Sequence, residues 1–295
     1  MNILMTGGTG FIGRQLIASG QQHAFTVLTR QSSPVFASAN VKVINTLQDL
    51  SDLNEFDAVI NLAGEPIVGR RWSDAQKQKI RASRIQTTQQ LVELFERSSS
   101  APDVFLSGSA IGIYGDTGEQ KVDEFSDIAH NQNDFAQTLC RDWEAEACNV
   151  KNSRLVLLRT GIVLGDGGAL AQMLPAFKFG FGGPLATGNQ YMSWIHLQDI
   201  VTAIYYVLDA ADVSGSVNLV APNPVTNAQF TKSLAKACGR WAPFRVPKCA
   251  LKLLLGESSQ LLTDSQRIIP SQLLNNKFEF AYPNIDEAFS DLRSL

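Results

Sequence analysis

Gly7, Gly8, Gly10 and Gly13 stand close together in GGTGFIG, between an apolar run and the start of an amphipathic one. Glycines at this spacing let the backbone turn tightly and approach a pyrophosphate. The helix that follows offers unpaired N–H groups and the positive end of its dipole. The spacing fits both G-x-G-x-x-G and G-x-x-G-x-x-G. A nucleoside triphosphatase loop would carry lysine and then serine or threonine after the last glycine, but Arg14 and Gln15 follow here. The chemistry implied is dinucleotide binding. The second apolar run ends TVLTRQ, with Arg30 and no carboxylate. A carboxylate there would grip a ribose 2′-hydroxyl, whereas a guanidinium pairs with a 2′-phosphate. NADP(H) is therefore expected over NAD(H), the alternative being an ordinary surface arginine.

Other side chains offer further chemistry. GRRWSDAQKQKIRASR, residues 69–84, crowds Arg70, Arg71, Lys77, Lys79, Arg81 and Arg84 at the entrance of a helix. Lys77, Arg81 and Arg84 recur at i, i+4 and i+7 and share a face. Such a cluster would hold an anionic substrate, with Trp72 stacking on a ring, or it is a solvated basic face. His196 in WIHLQD titrates near neutrality and is a candidate base. The four cysteines, Cys140, Cys148, Cys238 and Cys249, form no C-x-x-C pair and have no zinc-site company, so no metal is expected. Cys140 and Cys148 share one expected helix about 12 Å apart, too far for a disulfide.

The elements that must position these residues read as strands alternating with helices. NILMTG, FTVLTR (25–30), VKVIN (41–45), DAVINLAG (57–64), DVFLSGSA and RLVLLRTGIVLG are apolar runs with the look of buried strands. A helix is expected at GFIGRQLIASGQQ, another from Ser73 through residue 97 with Ser-Asp at its cap, and a third at FAQTLCRDWEAEA, residues 135–147. Continuous apolar strands alternating with helices predict an α/β fold: a Rossmann-type, doubly wound parallel sheet covered on both faces. The expected division is a dinucleotide-binding domain over 1–165, with return elements at about 191–220. A smaller, mostly helical substrate lobe would occupy most of 166–295.

The chain has 295 residues, 44% hydrophobic and 18% charged, with a formal net charge of -3. That balance suits an ordinary globular core and gives no electrostatic capture of nucleic acid or of an anionic membrane. The start, MNILMTGG, has no signal-peptide pattern, and no apolar run approaches a membrane span, so a cytoplasmic place is expected. Nothing in the sequence reports oligomeric state.

MTGGTGFIG, NLAG, SGSAIGIYG, LRTGIVLG and WIHLQDI, in this order, resemble the extended short-chain dehydrogenase/reductases. The pattern NLAGEPI…RRW…K…SRI is similar to an atypical branch, the NAD-dependent or sugar-nucleotide epimerase-like family. The tail, about 245–293, resembles that branch's C-terminal domain of unassigned function. The resemblance implies that Gly7, Thr9, Gly10, Phe11, Ile12 and Gly13 line the pyrophosphate. It implies that Leu62, Ala63 and Gly64 pass along the adenosine side. Ser107 and Ser109 would end the fifth strand beside the nicotinamide, Ile162 and Val163 would lie near its amide, and Trp194 would sit over the substrate.

The wider superfamily acts through Tyr-x-x-x-Lys on the helix after strand five. The lysine lowers the tyrosine pKa, so that the phenol exchanges a proton as hydride moves. Aligning Glu144 with a glutamate common in that helix puts Ala136 and Cys140 at those positions, and residues 132–149 hold no tyrosine. Ser109 and Tyr114 are the candidate replacements, a serine and a phenol able to polarise a carbonyl, the alternative for Tyr114 being packing. Two functions stay open: an NADP(H)-dependent oxidoreductase or epimerase acting on a small, sugar-like substrate, and a non-catalytic NADP(H)-binding regulator or interaction protein.

Overall fold

A computed structural model describes residues 1–31, 34–36 and 40–292. Residues 293–295, on which the expected tail and lobe end, lie outside the described residues. From the N-terminus come β1 (Asn2–Thr6), α1 (Phe11–Ser19), β2 (Ala24–Leu28), β3 (Val41–Ile44), β4 (Ala58–Asn61), α2 (Asp74–Arg97) and β5 (Val104–Ala110). A 3-10 turn at Ile111–Tyr114 leads past β6 (Lys121–Val122) to α3 (Phe135–Ala147), β7 (Arg154–Thr160) and β8 (Ile162–Leu164). Next are α4 (Gly168–Lys178), β9 (Tyr191–Met192), β10 (Trp194–His196), α5 (Leu197–Asp209) and β11 (Gly215–Leu219). Then follow β12 (Val225–Thr226), α6 (Asn227–Ala237), α7 (Lys248–Leu255), α8 (Gln260–Thr263), β13 (Arg267–Ile268), α9 (Ser271–Asn275) and α10 (Ile285–Asp291).

Seven strands form one parallel sheet in the order β11-β7-β5-β4-β1-β2-β3. Its two faces follow the period-two alternation of a strand. Ile3, Met5, Ile60, Leu106 and Leu158 face one way, onto Leu16 and Ile17 of α1 and Ile200 and Ile204 of α5. Leu4, Val59, Phe105 and Leu157 face the other way, onto Leu91, Leu94 and Phe95 of α2. Both faces are buried, which is why the strands read as unbroken apolar runs. Ser73 caps α2, accepting from the Gln76 N–H, and Asp134 caps α3, accepting from that of Gln137.

RLVLLRTGIVLG reads as one strand and folds as two. Gly161 breaks it: a Cβ there would meet the Ser193 carbonyl oxygen at 2.8 Å and Val220 at 2.7 Å. β7 stays in the main sheet, and β8 leaves it to pair with β10. This departure carries Ile162 and Val163 toward the C-terminal lobe. The lobe packs around Trp194, Phe230, Leu234 and Phe289. It is tied to the sheet domain by β6 pairing with β13 and by Asp199, whose carboxylate accepts from the Ala281 and Tyr282 N–H groups at 2.8 and 2.9 Å. Among the described residues no helix is long and apolar enough to cross a membrane. All four cysteines are free thiols.

Candidate functional site

The glycine turn sits where β1 gives way to α1. Gly7 has φ +72°, in the left-handed region, and a Cβ on it would meet the Leu62 carbonyl oxygen at 2.4 Å. A Cβ on Gly13 would meet the Gly7 oxygen at 2.4 Å. The turn therefore holds α1 hard against β1 and β4. Gly10 begins α1, and no side chain caps it. The first-turn N–H groups stay available to an anion.

Thr6, Gly7, Thr9 and Gly10 line a groove of about 340 Å³ with Leu62, Ala63 and Gly64, and with Thr29 and Arg30 at the end of β2. The expected cofactor contacts at Gly7, Thr9, Gly10, Arg30, Leu62, Ala63 and Gly64 thus fall in one place. Ile12 instead packs against the sheet core, and Gly13 is buried in the turn. The Arg30 guanidinium is exposed and makes no hydrogen bond or ion pair among the described residues. One carboxylate lines the groove: Glu65, 3.9 Å from Arg70. Arg14 is a contributor the sequence reading passed over. It bonds the Thr9 and Val35 carbonyls at 2.9 and 3.2 Å and braces the turn from outside. A glycine cradle that a Cβ would fill, an uncapped helix start and a guanidinium unpaired among the described residues fit a phosphorylated dinucleotide.

Phe11 leaves this groove and lines a second cavity of about 480 Å³. Ala110 at the end of β5, Thr160 at the end of β7, and Ile162 and Val163 of β8 line it on the sheet side. Ile162 and Val163, expected near the nicotinamide amide, thus stand in the wall of this cavity. The fifth-strand contribution differs: Ala110 reaches the cavity, while Ser107 is wholly buried and its hydroxyl has no partner among the described residues. Ala136 and Cys140 line the cavity from α3. Burial, and then the charge of Glu144, push the Cys140 thiol up to about 12, with Arg84 pulling the other way. It stays a neutral thiol at physiological pH, and it stands where a lysine was expected. Leu255, Ser258, Leu261, Leu262 and Gln266 of the C-terminal segment close the far side, a wall the sequence reading did not identify.

Ser109 and Tyr114 are not among the residues lining this cavity. Both belong to a buried network behind α3. Arg159 and Glu144 form a two-point ion pair, Nε to Oε1 and Nη2 to Oε2, both 2.8 Å. The Ser109 hydroxyl donates to Glu144 Oε1 at 2.6 Å. Arg159 Nη1 donates to the Tyr114 oxygen at 2.9 Å, and the Tyr114 hydroxyl donates to Asn218 at 2.8 Å. Burial pushes Tyr114 up to about 12 against the downward pull of Arg159. With both hydroxyls engaged, their geometry braces α3 against β5 and β7, in place of the expected proton exchange. Tyr114→Phe leaves a buried donor on Arg159 and a buried acceptor on Asn218 unpaired, so it should cost about 1–3 kcal/mol of stability. A chemical unfolding curve measures this. Loss of cofactor turnover at unchanged stability would return Tyr114 to the chemistry.

The expected substrate residues also have other partners. Arg71 donates to the Leu253 carbonyl at 3.2 Å, and Lys77 pairs with Glu257, so both fasten the C-terminal wall. Trp72 is buried, donates to the Ile67 carbonyl at 2.9 Å and packs edge-on to Phe135. Trp194 is a wholly buried core residue of the lobe. His196 caps α5: its Nδ1 accepts from the Gln198 N–H at 3.2 Å, and its ring lies on Tyr282. Burial pulls its pKa below the usual value, against Asp291 and Asp199. A neutral ring is what that acceptor role needs. None of these five lines the cavity. The spacing of Lys77, Arg81 and Arg84 marked one helix face, and the structure pairs Lys77 with Glu257 and Arg81 with Asp142.

Residues 3–220 match the NAD dependent epimerase/dehydratase family. Residues 246–292 match a domain of unknown function, DUF1731. The epimerase family protein YfhF of Bacillus subtilis is 36% identical over 302 residues, which span 99% of this chain and 98% of that protein. A crystal structure of human epimerase family protein SDR39U1 (isoform 2) with NADPH matches with a TM-score of 0.89 at 31% identity, over 99% of this chain and 98% of that one. The nucleoside-diphosphate sugar epimerase from Corynebacterium glutamicum matches at 0.75 and 33%, over 98% of this chain and 57% of that one.

Proposed function

The chain belongs to the NAD dependent epimerase/dehydratase family, and from that premise we propose that it binds NADP(H) and passes hydride to or from a small substrate in the adjoining cavity. The observation that carries the reading is the cavity itself. It begins at Phe11, Thr160, Ile162 and Val163, directly beyond the glycine turn, and is closed by the C-terminal wall. The NADPH in the human relative's structure supports the choice of cofactor.

When bound, NADPH would supply a hydride at nicotinamide C4. Gly7, Gly10 and the start of α1 would hold the pyrophosphate, and Arg30 the 2′-phosphate. In the reducing direction a carbonyl carbon takes the hydride, and its oxygen takes a proton from water, giving the alcohol. Water is assigned this part because the Ser109 and Tyr114 hydroxyls are engaged outside the cavity. The unpaired thiols suit a reducing cytoplasm, where we place the protein.

A second reading has its own observation. Ala136 and Cys140 stand in the cavity wall in place of a proton relay, which suits an NADP(H)-binding regulator that no longer reacts. The two separate on protein saturated with NADPH deuterated at C4 and mixed with a small-molecule cell extract. Deuterium in a metabolite by mass spectrometry, absent without protein, is the expected result. Bound cofactor with no label moved, across extracts and in both directions, favours the regulator.

A further inference from the structure

Among the described residues, none that lines the cavity beside the nicotinamide position carries a charge. A sugar nucleotide brings a diphosphate, and a buried anion without a cation carries a desolvation penalty of several kcal/mol. Arg70, beside the lining Gly69, is mostly exposed and reaches Glu65 only at 3.9 Å, while the other nearby cations are engaged. Arg71 and Lys77 hold the C-terminal segment, and Arg81 pairs with Asp142. Arg84 donates to the Glu65 and Ile80 carbonyls at 3.0 and 3.1 Å and lies over the Trp143 ring.

A free sugar fares little better, because each buried hydroxyl needs a partner. The polar side chains of the cavity are mostly committed. The Gln266 amide nitrogen donates to Ile111 and Gly115 carbonyls at 3.1 and 3.2 Å, Ser258 to Leu255 at 2.9 Å, and Thr160 to Leu158 at 3.3 Å. Cys140 offers a weak thiol donor. The Gln266 side-chain carbonyl oxygen and the Gln172 amide, at the exposed mouth, are the main groups left. The rest is hydrocarbon: Ile111, Met173 and Met192 on one side, Leu255, Leu261 and Leu262 on the other. The cavity of about 480 Å³ must hold the nicotinamide ring as well, so the remaining space admits only a small molecule.

We propose that this cavity takes a small, uncharged, hydrocarbon-rich carbonyl compound or its alcohol in place of a sugar nucleotide, and that the C-terminal segment of unknown function selects it through Leu255, Leu261 and Leu262. The proposal rests on the hydride reading for the position of the nicotinamide. It departs from the sugar-like substrate that the family resemblance implied.

The test uses the whole chain saturated with NADP+, which has no hydride to give. Acetophenone, cyclohexanone and 2-octanone are titrated calorimetrically, and UDP-glucose and glucose in parallel. At least one ketone should bind saturably, one per chain, and neither sugar should bind. Leu261→Glu should weaken that ketone at least tenfold with NADP+ affinity unchanged. If that variant lacks a cooperative melt, Leu262→Gln gives the same reading. Tighter binding of UDP-glucose than of the ketones, no binding of any ketone, or ketone affinity indifferent to the wall variants would overturn the proposal. Ketone binding here with no deuterium moved in the preceding experiment would leave the ligand class standing and sink hydride transfer. Label found only in a sugar phosphate or sugar nucleotide would sink the ligand class and keep hydride transfer.

Discussion

Arg159→Met should destabilise the fold by about 3–5 kcal/mol, the cost of leaving a buried charge without its partner. The Arg159 and Glu144 side chains are 8% and 11% exposed and meet at two points, with Ser109 on the same carboxylate. Burial alone would lower the Arg159 pKa, but the hydrogen bonds and charge of Glu144 outweigh it and hold the net shift upward. Methionine removes the compensation and leaves the Glu144 carboxylate with one hydroxyl for company. Glu144→Met in the same chain should recover most of the loss, because a paired deletion leaves no orphan charge. Arg81→Ala is the internal control. Its partner Asp142 is at least as close, but the two side chains are 47% and 40% exposed, so the change should cost below about 1 kcal/mol. Urea midpoints at constant m decide the comparison. A loss for Arg159→Met no larger than that for Arg81→Ala would show that the network contributes nothing special. The consequence reaches the cavity, because this network fixes α3 and therefore where Ala136 and Cys140 stand.

The groove at the glycine turn was legible in the sequence because its determinants are local. GGTGFIG, the end of β2 and NLAG each sit at the end of one strand, and parallel strands bring their C-terminal ends to one edge. The apolar runs predicted the strands for the same reason, since burial on both faces leaves a continuous hydrophobic signature. The split at Gly161 was illegible: the apolar run continues across it, and only the approach of Ser193 from a distant segment breaks it. Ser109 and Tyr114 looked available because their partners, Glu144, Arg159 and Asn218, lie far along the chain. Lys77, Arg81 and Arg84 of the basic run fall on α2 at a spacing that shares one face, but charge does not reveal whether a face meets substrate or protein. The far wall was hidden most deeply. No motif marks Leu255, Leu261 and Leu262, and only the tertiary fold brings them to one cavity with Phe11 and Ile162.

Arg30→Ala should weaken NADPH binding by about 10- to 100-fold and leave NADH binding within about twofold. A hydrogen bond to a charged group contributes about 1.5–3 kcal/mol, and each 1.4 kcal/mol is a factor of ten in affinity. Arg30 stands just past β2 in the groove that the glycine turn begins, with no competing partner among the described residues. It is exposed, so the contact is screened, and the preference for NADPH should narrow as ionic strength rises. The two cofactors differ only in the 2′-phosphate, so pyrophosphate and nicotinamide contacts cancel in the ratio of their affinities. A general disturbance of the groove would lower both together. Gly10→Ala provides that pattern by design: its Cβ would lie 3.1 Å from the Gly7 oxygen, inside the turn, and NADPH and NADH should lose affinity alike. Fluorescence titration of both cofactors against both variants gives four ratios. If Arg30→Ala behaves like Gly10→Ala, the guanidinium is a bystander and the cofactor preference must come from another residue of the groove. If the loss is confined to NADPH and fades with salt, Arg30 reads the phosphate, and the missing carboxylate at the end of β2 is the reason it can.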